Sequence, residues 1–133
     1  MSSWDLQRTE RGWRLPIEQA RVTRCIVDHA VALEFFEGEL CVVVRVEGDF
    51  SILDGARVHR LSSSAPQDLG PAVGLLGQTV RSATTSAQGK LEIAFEDGRM
   101  LSVEPDERYE AWELCGPGGT RAVCMPGGEV AVW

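Results

Sequence analysis

Val31-Ala-Leu-Glu-Phe-Phe-Glu-Gly-Glu-Leu-Cys-Val-Val43 and Leu91-Glu-Ile-Ala-Phe-Glu-Asp-Gly-Arg-Met-Leu-Ser-Val103 are two versions of one pattern, sixty residues apart. At that offset Phe35 and Gly38 fall on Phe95 and Gly98, Leu33 on Ile93, Leu40 on Met100 and Val43 on Val103. Phe50 and Tyr109 follow at nearly the same spacing. Upstream, Ala20-Arg-Val-Thr-Arg-Cys25 aligns with Gln78-Thr-Val-Arg-Ser-Ala83 at an offset of 58, so the second copy has two more residues in its first turn. A unit present only twice is not a solenoid, which needs at least three stacked repeats. It implies two β-meanders packed with approximate twofold symmetry.

The period inside each copy is two. Val31, Leu33 and Phe35 alternate with Ala32, Glu34 and Phe36, and Leu91, Ile93 and Phe95 with Glu92, Ala94 and Glu96. Alternation of this kind sends one set of side chains into a core and the other toward water or a second layer. Glu37-Gly38 and Asp97-Gly98 supply the turns, because Gly accepts the positive φ that tight hairpins require. Leu40, Val42, Val44 and Val46 continue on one face, and Cys41 and Val43 make the other face apolar enough to predict that this strand is covered on both sides.

Further strands are expected over Arg21–Val27, Gln78–Thr85, Tyr109–Cys115, Thr120–Met125 and Glu129–Trp133, with a short strand-like segment ending at Leu61. Pro117-Gly118-Gly119 and Pro126-Gly127-Gly128 mark turns. One short helix is expected near 69–76, with Leu69, Ala72, Val73 and Leu76 on its buried face, Asp68 at its start, Pro71 in its first turn and Gly77 at its end. The fold class expected is all-β, mainly antiparallel, two pseudo-twofold-related meanders forming a sandwich or a barrel. Residues 1–133 are expected to form a single domain.

Composition narrows the function. The chain has 133 residues, 44% hydrophobic and 25% charged, which is ordinary globular usage. Thirteen basic against twenty acidic residues give a net charge of −7, which argues against nucleic acid as a partner. No apolar run approaches the roughly 18 residues of a membrane span. Met1-Ser-Ser-Trp-Asp5 has no basic stretch leading into an apolar one, so a cytoplasmic location is expected.

Motifs for chemistry are scarce. Cys25, Cys41, Cys115 and Cys124 show no Cys-x-x-Cys spacing and read most simply as small buried thiols in a reducing cytosol. A turn centred between Gly118 and Gly119 pairs Cys115 with Ala122, and one shifted by a residue pairs it with Cys124. His29 is placed in the first turn, and His59 stands beside no nucleophile motif. The glycine turns lack the order of a phosphate-binding loop. No catalytic residue, metal or cofactor is expected.

Acidity is uneven: residues 34–54 hold six acids and one base, 92–113 eight acids and two bases, and 1–24 five bases and three acids. Since the acidic stretches are the repeated hairpins, twofold symmetry would bring Glu37, Glu96 and Asp97 onto one surface suited to a basic protein partner. Glu110 and Trp112 are the other candidate binding residues, a carboxylate beside an aromatic anchor. Of the four tryptophans, Trp4 and Trp13 lie in a polar N-terminal segment, and Trp133 is expected to dock in the core or against that segment.

The run from Asp97-Gly98 through Leu101-x-Val103-x-Pro105, Tyr109-Glu-Ala-Trp112-Glu-Leu, Gly116-Pro-Gly-Gly119 and Met125-Pro-Gly-Gly-Glu129-Val-Ala-Val-Trp133, with Val73-Gly-Leu-Leu-Gly77 as a second anchor, resembles a family of small uncharacterised bacterial proteins commonest in high-GC Gram-positive bacteria. Twelve Arg to one Lys fits such a genome. The resemblance implies a stand-alone domain in which Tyr109–Trp112 and Met125–Trp133 form one structural corner, and it implies no activity. Three readings follow. The preferred one is a non-enzymatic binding protein, an acidic inhibitor of the immunity type that masks a basic partner. The second is a small-ligand binder or enzyme with a site between the repeats, using Glu110, Trp112, Cys41 or His59. The third is a structural homodimer joined through edge strands.

Overall fold

The computed structural model describes residues 5–133. Among the described residues thirteen strands form two sheets: β1 (Gln7–Arg8), β2 (Gly12–Arg14), β3 (Arg21–Val27), β4 (Val31–Glu37), β5 (Leu40–Val46), β6 (Phe50–Asp54), β7 (Arg57–Leu61), β8 (Val80–Ser86), β9 (Leu91–Phe95), β10 (Met100–Val103), β11 (Trp112–Cys115), β12 (Arg121–Cys124) and β13 (Val130–Val132). One sheet has the order β1-β2-β8-β9-β10-β6-β7 and the other β13-β12-β11-β5-β4-β3, with every neighbouring pair antiparallel. This is a sandwich rather than a closed barrel.

The order contains the duplication. β3-β4-β5 and β8-β9-β10 are the two meanders, and each sends its following hairpin across to the other sheet: β6-β7 pairs onto β10, and β11-β12 onto β5. Neither sheet is therefore made by one copy alone. The sheets touch at an isolated bridge between Arg21 and Thr79. On either side of it Val22 N–H donates to the Gln78 carbonyl at 2.9 Å and Val80 N–H to the Ala20 carbonyl at 2.8 Å. These two bonds exchange under the 58-residue offset, so the pseudo-twofold axis passes through this point. Both copies bulge just beyond it, between Val22 and Arg24 and between Val80 and Ser82.

Inward residues of both meanders make the core. Phe35, Ile52, Phe95, Ile93, Trp112 and Leu114 are fully buried, each removing on the order of 2 kcal/mol worth of apolar surface from water. The outer face of β5, with Cys41, Val43 and Arg45, is half-buried rather than covered, because a two-layer sandwich offers no third layer.

The constant offset of sixty holds for β4 and β9 and then fails. Leu33 faces Val44 while Ile93 faces Leu101, so Leu101 stands where Val44 does; Leu40 is not the partner of Met100, nor Val43 of Val103. The cause is turn length: six residues separate Phe35 from the opposing Val42, but three separate Phe95 from Arg99, whose carbonyl it binds. Trp112 faces Val46, and the β6–β10 register sets Phe50 beside Val103, so Phe50 corresponds to Trp112 and not to Tyr109. Tyr109 has no counterpart. It lies in the eight-residue crossover 104–111, against three residues, 47–49, in the first copy.

Other expectations change too. The helix is one turn, Gly70–Val73, preceded by a 3-10 turn at Pro66–Asp68; Leu69 rather than Asp68 caps it, and Gly74 ends it. With the turn this short, Leu69, Ala72 and Leu75 reach the core, while Val73 and Leu76 face outward. The sequence pattern does not mark β1, β2 or β6, and it starts the 109–115 strand too early. Trp133 is 65% exposed, with Arg121 stacked 5.3 Å over its ring instead of a core around it. Trp13 packs partly against the core beneath Arg8, and Trp4 lies outside the described residues. Among the described residues no helix is long and apolar enough to cross a membrane.

Candidate interaction surface

The long crossover is held from beneath by the turn that follows β12. The Trp112 indole N–H donates to the Gly89 carbonyl at 2.9 Å, and the Cys124 thiol reaches the same oxygen at 3.5 Å. Gly127 N–H donates to the Asp106 carbonyl at 2.8 Å. Gly89 and Gly128 have φ of +94° and +105°, and a Cβ on either would collide with backbone of the other's loop. Trp112, Gly89, Cys124, Asp106 and Gly127-Gly128 thus form one packed corner. Among the described residues every buried side-chain nitrogen and oxygen has a partner.

On the outward side of the same crossover the chain exposes Tyr109. Its ring is 40% exposed, and its phenol end rests against Gly48 in the opposite crossover, where a Cβ would lie 2.8 Å from Cζ. Glycine is needed at 48 for this close approach. Glu47, Arg108, Tyr109, Glu110 and Pro126 line a hollow of about 540 Å³. Burial first, then the carboxylates of Asp106, Asp49 and Glu47, holds the Tyr109 phenol above its ordinary pKa, so it stays neutral. Arg45 takes one oxygen of Glu47 at 3.0 Å and Asp28 at 3.3 Å. Glu107 and Glu110 are exposed. The two crossovers therefore meet as an acidic surface around one aromatic ring.

The five binding residues expected from sequence separate into three places. Trp112 is in the core with its only polar group engaged, so it is not a surface anchor; Tyr109, three residues earlier, occupies the exposed position. Glu110 is in the crossover just described, outside β11, while Glu113 on that strand pairs with Arg121. Glu37 is at the β4–β5 tip, and Glu96 and Asp97 are at the β9–β10 tip. Both tips flank the Arg21–Thr79 junction, since Arg21 faces Phe36 and Glu96 N–H donates to the Thr79 carbonyl. Symmetry does bring them to one end, but that end is mixed in charge. Asp97 pairs with Arg99 at 2.7 Å, and Arg81 reaches the Glu96 carbonyl at 3.0 Å. Burial works to raise the Asp97 carboxyl's pKa, yet the Arg99 backbone N–H and guanidinium outweigh it and hold it low.

Elsewhere, Cys41 is on the outer face of β5 and His59 is on β7 of the other sheet, so they do not converge. Cys115 faces Arg121, not Ala122 or Cys124, because Pro117–Gly119 is a 3-10 turn closed by Gly116 N–H to the Thr120 carbonyl. All four cysteines are free, but only Cys124 is buried as the sequence leads one to expect; Cys25 and Cys41 are half-buried and Cys115 is exposed, on strand faces that no third layer covers. Each thiol pKa is raised, by burial above all, so none is an activated nucleophile. No cluster of three or more His, Cys, Asp and Glu with metal-binding geometry occurs among the described residues. A second hollow, of about 430 Å³, lies on the seam where β10 of one copy meets β6 of the other, with Ser51, Arg60, Ser102 and Glu104 in its lining.

The chain belongs to a family of unknown function, DUF6188, whose model matches residues 13–133. No curated protein and no solved structure gives a match.

Proposed function

We propose that this is a non-enzymatic binding protein that captures a basic protein partner on the acidic crossover surface, in the manner of an immunity-type inhibitor. The observation that carries the reading is Tyr109, an exposed aromatic ring on the one crossover that the duplication does not explain, set among Asp106 and Glu110 of that crossover and Glu47 and Asp49 of the other. An aromatic anchor inside a mainly negative field is the arrangement that gives a protein interface both a hot spot and fast capture. Four free thiols suit a reducing cytoplasm, and twelve Arg to one Lys suits a GC-rich bacterial genome.

Native mass spectrometry of the tagged protein, purified gently from its host, tests this. A stoichiometric basic partner is expected, and it should be absent when Glu107→Lys and Glu110→Lys are combined. A small-molecule or metal mass on a lone chain would overturn the reading. It would favour the alternative, a small-ligand site in the hollow on the β10–β6 seam, which none of Glu110, Trp112, Cys41 or His59 lines.

A further inference from the structure

The acidic surface has a shape as well as a charge, and the shape points to what enters it. The open hollow of about 540 Å³ is lined by two apolar residues, Tyr109 and Pro126, and by two carboxylates, Glu47 and Glu110, that come from different crossovers. Its charge is not a single acidic run folded on itself. Arg108 is the one base in the lining, and Arg45 engages Glu47 from outside. With Asp49 and Asp106 also acting on the ring, a negative balance remains. The ring is also fixed in advance, because its phenol end is seated on Gly48 and needs no reordering to receive a ligand.

We infer that the hollow between Tyr109 and Pro126 receives a single lysine or arginine side chain of the partner. The inference rests on the binding reading above and names the chemistry of the anchor. The aliphatic stem lies along Pro126, and the cationic head sits against the Tyr109 ring, where the quadrupole of the ring and the carboxylates of Glu47 and Glu110 act together. A neutral side chain of the same length would gain the apolar contact and lose both attractions.

Two experiments separate this inference from the reading beneath it. The first titrates the intact protein with N-acetyl-L-arginine amide and N-acetyl-L-lysine amide, with N-acetyl-L-glutamine amide as the neutral control, and follows the Tyr109 ring by NMR. Tyr109 is the only tyrosine, so its ring signals are unambiguous. They should shift with the two cations and not with the glutamine compound. Equal response to all three, or none, overturns the inference.

The second measures the captured partner against variants. Tyr109→Phe keeps the ring and should bind as the parent does, and Tyr109→Leu should bind about fivefold more weakly. If Tyr109→Leu binds fully while the combined Glu107→Lys, Glu110→Lys variant does not, the anchor is wrong and the acidic surface stands. If charge reversal also leaves binding intact, the binding reading falls.

Discussion

The two crossovers do the same topological work with very different lengths of chain. Both leave a meander, pass to the other sheet and enter it on a large buried ring, Phe50 in the first copy and Trp112 in the second. The first uses only residues 47–49 and needs little support; at the far end of β7 an exposed bond from the Ser63 hydroxyl to the His29 carbonyl, 2.9 Å, ties the chain to the β3–β4 turn. The second uses 104–111 and is pinned by an indole, a thiol and two glycine turns. The comparison shows how an insertion is tolerated and used: the surplus chain is locked on its inner side, and its outer side is free to carry Tyr109 and the carboxylates.

If this division is right, inner substitutions cost stability and outer ones cost binding. The largest stability effect should come from Gly128→Ala or Gly89→Ala, where a Cβ meets backbone at positive φ, with a cost of about 3 kcal/mol or more in urea denaturation. Gly55→Ala, in the β6–β7 turn of the first copy, also has positive φ but meets nothing within 4 Å, and should cost about 1 kcal/mol. A similar cost at both sites would remove the contrast between the corners.

Next comes Trp112→Phe, which leaves the buried Gly89 carbonyl with only the Cys124 thiol. A loss of about 1–3 kcal/mol is expected, with faster hydrogen exchange in the β8–β9 turn. Phe50→Leu makes no hydrogen-bond change and should cost about 1 kcal/mol. Smaller still is an acid-sensitive contribution from the β9–β10 tip. Because the Asp97 carboxyl is held low, its pairing with Arg99 stabilises the fold at pH values above the unfolded carboxylate pKa of about 3.9 and is lost as pH falls through the lower folded value. Asp97→Asn should flatten that part of the pH–stability curve. The smallest effect on stability, within about 0.5 kcal/mol, is expected for the combined Glu107→Lys, Glu110→Lys variant, since both side chains are exposed.

Much of the fold is legible in the sequence because alternation reports directly which face a residue takes. Leu33, Phe35, Ile93 and Phe95 could be placed inward on that ground alone, and all are buried. What alternation does not report is the length of a turn. A hairpin shortened by three residues inverts the parity of the strand after it. Because β5 carries apolar residues on both faces, Leu40 against Met100 and Val43 against Val103 still match apolar with apolar, and the repeat read from sequence pairs Phe50 with Tyr109 instead of Trp112. That mismatch also hid the candidate site, because it assigned Tyr109 to a strand it precedes. Glu110 was legible as a surface carboxylate, whereas the choice between Trp112 and Tyr109 as the exposed ring depended on the Gly89 carbonyl, which is distant in sequence. The meeting of the acidic tips follows from the repeat, but alternation does not show that Arg99 pairs with Asp97 inside the same turn or that Arg81 and Arg21 on the adjoining strands stand beside the tips. β1 and β2 are too short to show a period at all.

The most direct test of the central claim pairs one substitution from each side of the crossover and measures partner capture and thermal stability together. Trp112→Phe should melt earlier and still capture the partner, while the combined Glu107→Lys, Glu110→Lys variant should melt with the parent and capture nothing. A charge-reversed variant that holds the partner as well as the parent would contradict the account.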